Sequence, residues 1–193
     1  MLTIIETVGA ANANSYETLA EANEYFESRL PLAPPWITSG DTPARALTMS
    51  TRLLDTYAQP MRTYVPGQGG AAGYYYTRRR WTGAPASTTQ RLAWPRTGMS
   101  DRNGNPIAAS IIPQELKDAE SELAGQLLKT DWTLDLDQVV QGVSSVRAGS
   151  VSVSFKENIQ SQMIPDAVLN LMPPSWFTEE VIEPALRADF EVL

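Results

Sequence analysis

The chain has 193 residues, of which 42% are hydrophobic and 19% charged, with a net charge of −7, as expected of one soluble folded domain. It contains no cysteine and no histidine, which excludes disulfides, thiolate zinc sites, cysteine nucleophiles and every histidine-dependent triad. Residues 78–102 carry six arginines against Asp101, a local +5 that leaves −12 for the rest of the chain, so sequence-independent grip on nucleic acid is disfavoured outside that segment.

The start, Met1-Leu2-Thr3-Ile4-Ile5-Glu6, has neither the basic flank nor the sustained apolar run of a secretory signal. No apolar stretch is long enough to suggest a membrane span. Asn14-Ser15 offers a helix cap, and residues 15–30 read as an amphipathic helix. Leu19, Ala22, Phe26 and Leu30 recur on one face, with Glu17, Glu21, Glu24 and Glu27 toward water. Asp41-Thr42-Pro43 signals a second helix with proline in its first turn and a buried stripe of Leu47, Ser50, Leu53, Leu54 and Tyr57.

Residues 60–91 read as a long loop or extended excursion. Within it, Tyr74, Tyr75, Tyr76, Arg78, Arg79, Arg80 and Trp81 suit partner docking or contact with nucleic acid. Asn103-Gly104 marks a turn. A third helix begins at Ile112-Pro113, with Leu116, Ala119, Leu123 and Leu127 buried and Glu115, Asp118, Glu120 and Glu122 solvated. The period then changes to two: residues 143–156 read as a β-hairpin, which is marginal alone and must pack on helices or on another chain. Residues 165–172 form a short last core helix that Pro173-Pro174 ends. The tail, 173–193, carries Trp176, Phe177, Val181, Ile182, Leu186 and Phe190 among acids. It reads as a docking arm or as a strap closing its own core, and Thr178 could cap a helix in it.

The fold class is therefore mainly α: a small helical bundle with an inserted β-hairpin, an extended loop and a C-terminal arm. A domain over 1–172 is followed by the arm.

No cofactor, metal or catalytic site emerges. Gly67-Gln68-Gly69-Gly70-Ala71-Ala72 lacks the third glycine and the preceding strand of a dinucleotide fingerprint. Asp101-Arg102-Asn103-Gly104-Asn105 lacks the glycine and the glutamate of a calcium loop, and turn chemistry explains it better. No carboxylate is forced by pattern into an apolar cleft. The chain is not expected to be an enzyme.

The order of segments is more specific than any one of them. Asn14-Ser15-Tyr16 precedes Glu21-Ala22-Asn23-Glu24-Tyr25-Phe26, then Leu53-Leu54-Asp55. Gln90-Arg91-Leu92-Ala93-Trp94-Pro95-Arg96-Thr97-Gly98 follows, and Ile112-Pro113 leads into Leu116-Lys117-Asp118-Ala119 and Glu122-Leu123-Ala124. Over residues 10–172 this resembles the phage family of DnaT-like single-stranded-DNA-binding proteins, whose members resemble head–tail connectors. Residues 60–80 and the tail depart from its compact pattern.

The resemblance implies a homo-oligomeric ring, commonly a dodecamer, in the virion neck. That ring would sit between portal protein and tail or nozzle proteins, with genomic DNA passing through its lumen, and would be made in the host bacterial cytoplasm. The alternative is a single-stranded nucleic-acid binder using residues 74–81. Within the most specific run, Trp94 is expected to anchor the core, Pro95 to set the turn, and Arg96 to tie loop carbonyls or carboxylates, with an interface contact as the alternative for Arg96.

Overall fold

The computed structural model describes residues 2–31, 35–57, 60–65, 73–129, 145–148, 151–154 and 164–182. Helix α1 spans Leu19–Ser28, α2 Thr42–Tyr57 and α3 Gln114–Leu127, with a four-residue helix at Asp166–Leu169. Among the described residues, no helix is long and apolar enough to cross a membrane.

Helix α1 starts later than its periodicity suggests. Thr18 is the cap: its side chain accepts from the Glu21 amide while the Glu21 carboxylate accepts from the Thr18 amide, a reciprocal pair that satisfies two orphan donors. Asn14, expected to cap the helix, instead pins the N-terminal segment. Its Oδ1 accepts from the Ile5 amide at 2.7 Å and its Nδ2 donates to the Thr3 carbonyl at 2.9 Å.

Helix α2 carries the predicted stripe, with Leu47, Ser50 and Leu54 fully buried, Tyr57 nearly so and Leu53 half-buried. Helix α3 is the centre of the fold, with α1, α2 and the short helix all packing on it. A helix packed on several sides keeps little solvated surface, and this corrects the expectation that Glu120 and Glu122 meet water: they are 0% and 5% exposed, whereas Glu115 and Asp118 are half-buried.

The excursion at 60–91 is not a loop throughout. Strands β1 (Pro60–Val65) and β2 (Gly73–Trp81) pair antiparallel, because runs rich in tyrosine, threonine, valine and tryptophan suit a pleated surface. Two-residue strands β3 (Ala84–Pro85) and β4 (Arg96–Thr97) follow. Strands β5 (Ser145–Ala148) and β6 (Val151–Ser154) form the predicted hairpin as a separate two-stranded sheet.

The tail also differs from expectation. A 3₁₀ turn over Pro174–Trp176 leads into β7, Phe177–Ile182, which joins the other side of β2 to give a sheet of order β1-β2-β7. Phe177, Val181 and Ile182 therefore belong to a strand and not to a free arm or helix. Leu186 and Phe190 lie outside the described residues.

Candidate functional site

Trp94, Pro95 and Arg96 form the hub between the helices and the sheet. Trp94 is 1% exposed and packs on Trp176 (ring centroids 4.7 Å apart) and edge-on to Trp81 (5.9 Å). The peptide bond before Pro95 is cis. Arg96 is buried, and its guanidinium is spent on backbone: Nε donates to the Thr82 carbonyl at 2.8 Å, Nη1 to Ala93 at 3.0 Å and Nη2 to Gly83 at 3.1 Å. Glycine is required at 83, since φ is +63° and a Cβ there would lie 2.1 Å from the Thr97 carbonyl oxygen. These contacts occupy most of the five N–H donors of a guanidinium that is 7% exposed, so Arg96 holds the chain's own loop together.

Trp176, expected on the docking surface, is fully buried beside Trp94, and its indole N–H donates to the Ser100 carbonyl at 2.8 Å. An indole of this size completes the core more favourably than it would sit in water. The strap reading thus holds through Trp176, and Phe177 packs against Trp81 at 4.4 Å. The Asp101 turn is as expected: its carboxylate accepts from the Asn103 and Asn105 amides, with Gly104 at φ +85°.

The register of β2 divides residues that look alike in sequence. Arg78 stands opposite Glu180, Arg79 opposite Glu179 and Arg80 opposite Thr178 on β7, while on the other side Tyr74 stands opposite Tyr64 and Tyr76 opposite Arg62. Because strand faces alternate, Tyr74, Tyr76, Arg78 and Arg80 share one face, and Tyr75, Arg79 and Trp81 share the other. The seven residues do not form a single surface. Trp81 is in the core at 8% exposure, whereas Arg80 is exposed.

The structure also reveals a buried acid network that periodicity missed. Glu17, expected to face water, is 1% exposed, and its Oε1 accepts from the Ser121 hydroxyl at 2.6 Å. Glu120 accepts from the Ser15 hydroxyl at 2.8 Å, from the Tyr16 amide at 2.9 Å and from the Thr51 hydroxyl. Asp55 accepts from the Tyr16 hydroxyl and, at 3.1 Å, from the Ala93 amide.

Burial raises all three carboxyls. Burial and the charge of Glu120 act together on Glu17, and hydrogen bonds only partly offset burial at Glu120. Asp55 is pushed up to about 6, with Tyr16, Ala93 and Arg96 opposing the shift. Glu122 goes the other way: burial opposes it, but the Arg29 guanidinium, bound through both nitrogens at 2.6 and 2.7 Å, holds it below its ordinary value. The one hint in the sequence is Ser50 on the apolar stripe of α2, a polar side chain that donates to the Glu120 carbonyl at 2.7 Å.

Perturbed carboxyls in a cleft mark candidate acid catalysts, but these are locked into structural hydrogen bonds. Asp55 alone borders an open cleft, of about 180 Å³, with Asn14, Thr51, Arg52 and Arg91 along its walls. Both Asp55 oxygens are engaged by Tyr16 and Ala93, and the Thr51 hydroxyl is shared between Glu120 and the Leu47 carbonyl. Among the described residues, no cluster of acids could hold a metal ion.

A family model described as "Putative DnaT-like ssDNA binding protein" matches residues 70–182. No curated protein and no solved structure matches. The matched span starts later than the resemblance drawn over 10–172, and it takes in residues 70–80 and 173–182, which had been set apart from the family pattern. It holds the Trp94-Pro95-Arg96 hub, α3, β2 and β7, and so more than half of the sequence: the chain belongs to the DnaT-like family.

Proposed function

We propose that this chain is a structural adaptor of the neck of a tailed bacteriophage. It forms a homo-oligomeric ring between the portal protein and the tail or nozzle proteins, continues the DNA channel, and performs no chemistry of its own. The observation that carries the reading is the unfinished β structure. In the described residues β1 and β7 each pair with β2 alone, and β5–β6 is a two-stranded sheet by itself. Open edges and an isolated hairpin gain most when a neighbouring copy completes them. The net −12 outside residues 78–102 fits a lumen past which DNA slides without adhering.

Electron microscopy of the purified protein, alone and mixed with its portal, tests this. Closed rings with a central channel, alone or seated on the portal, are the expected result. A protein that stays monomeric in both samples overturns the proposal.

A second reading is favoured by the family description and by the tyrosines and arginines of β2: binding of single-stranded nucleic acid. Filter binding of a short oligothymidylate across a salt series discriminates the two. Binding that is absent even at low salt removes the second reading.

A further inference from the structure

We infer that the polar cleft between α2 and residues 90–92 is the seat for Glu24 and Glu27 of a second copy of this chain, held there by Arg52 and Arg91. The inference rests on the ring assembly proposed above and names the contact between neighbouring copies.

The cleft is open and about 180 Å³ in volume, with Asn14, Thr48, Asp55, Thr56 and the two arginines on its walls. Its other polar groups are already engaged. Asn14 Nδ2 donates to the Thr3 carbonyl, the Thr48 hydroxyl to the Ala44 carbonyl and the Thr56 hydroxyl to the Arg52 carbonyl. Asp55 is held by the Tyr16 hydroxyl and the Ala93 amide. Arg52 and Arg91 are exposed, and among the described residues neither guanidinium has a hydrogen bond or an ion pair. By contrast, Arg29 is paired with Glu122, Arg96 serves loop carbonyls, and Arg102 serves the carbonyls of Asn170 and Leu171. Two guanidiniums against one carboxylate leave the cleft positive, on a chain whose overall charge is −7.

The free donors of the cleft are thus planar, permanently charged forks, which suit carboxylates through paired hydrogen bonds. A long polyanion would carry further charges onto the acidic surface around the cleft, whereas two carboxylates on a helix bring only what the two arginines can take.

The chain itself supplies such a pair. Glu24 and Glu27 are exposed, and neither has a side-chain partner among the described residues. Three residues apart on α1, they are neighbours on one face of that helix. Ala22 is fully buried, and the helical turn of about 100° per residue puts both glutamates on the side away from it, toward solvent. Both halves of the contact therefore stand unpaired in the single chain. A cleft on one copy that takes a helix face of the next is a heterologous contact, the kind that closes into a ring.

Analytical ultracentrifugation of the full chain, in the condition where the parent assembles (alone or with its portal), tests the contact. Arg52→Glu with Arg91→Glu should weaken association about tenfold or more, because like charges then face each other. Glu24→Arg with Glu27→Arg should do the same. An equimolar mixture of the two double variants should recover the parent's assembly, since each then offers the other the opposite charge. Arg52→Gln with Arg91→Gln should weaken association in the same direction but less, and added salt should weaken the parent. All four side chains are exposed, so thermal melts should match the parent's; if the glutamate variant melts early, the glutamine variant carries the test.

Should either folded double variant assemble as well as the parent, or the mixture stay dissociated, the contact is wrong while the ring reading stands. A parent that remains monomeric both alone and with its portal overturns both.

Discussion

Glu120 sits at 0% exposure between α3, α2 and the N-terminal segment, facing Ser15, the Tyr16 amide and Thr51, with Glu17 and Asp55 as the neighbouring charges. Burial raises its carboxyl from 4.5 to about 8, so the folded chain keeps a proton that the unfolded chain has given up. The contribution to stability is whole below 4.5 and is lost as pH rises through the folded value, because in that window folding takes up protons. Glu17, raised by burial and by Glu120, acts in the same direction. Glu120→Gln keeps the shape and cannot ionise. Urea midpoints measured across this pH range should therefore fall less steeply for Glu120→Gln than for the parent, and the variant should be the more stable at the alkaline end. Parallel profiles would mean that Glu120 does not hold its proton in the fold. Nothing in α3 itself announces this residue: it lies beside Ala119 in a run that also contains Glu122, and only the neighbours on every side take its water away.

At the scale of elements, the periodicities mark α2 and α3 because Leu47, Ser50 and Leu54 in the one, and Leu116, Ala119, Leu123 and Leu127 in the other, recur at three- and four-residue spacing, a signal intrinsic to the segment. Strands β1 and β2 give a weaker signal, since glycines and three consecutive arginines obscure alternation, and the second partner of β2, β7, comes from far along the chain. Strand β7 is the clearest case. Phe177–Ile182 could start a helix at Thr178, but β2 offers it a ladder in which Arg79 stands opposite Glu179 and Arg78 opposite Glu180. Opposed unlike charges of this kind contribute about 0.2–1 kcal/mol per pair, and like charges cost a similar amount. Arg79→Glu alone should accordingly lower the thermal midpoint, and adding Glu179→Arg should recover most of the loss. A double variant no better than the single would show that the pair does not couple across the ladder.

For the whole molecule, the core does not stop at the double proline. Trp176 fills the space beside Trp94, and the Thr82 amide donates to its carbonyl at 2.8 Å, joining the tail to the hub. Truncation after Met172 should therefore destabilise the protein strongly. Trp176→Ala alone should cost about 3–5 kcal/mol in chemical denaturation, as for other large buried aromatics. A truncated chain with an unchanged midpoint would return the tail to the role of a detachable arm.

What the sequence determined by itself was local: the positions of α2 and α3, the Asn103-Gly104 turn, the β5–β6 hairpin, and a basic segment in an acidic chain. Each follows from residues within a few positions of one another, through helical spacing, turn chemistry or alternation. Only the tertiary structure decided that Glu17 and Glu120 are buried, that Trp176 belongs to the core, and that Tyr74, Tyr76, Arg78 and Arg80 share a face which Tyr75 and Arg79 do not. Burial and register are properties of pairs of segments brought together from distant parts of the chain, and no single segment encodes the side from which its neighbour arrives.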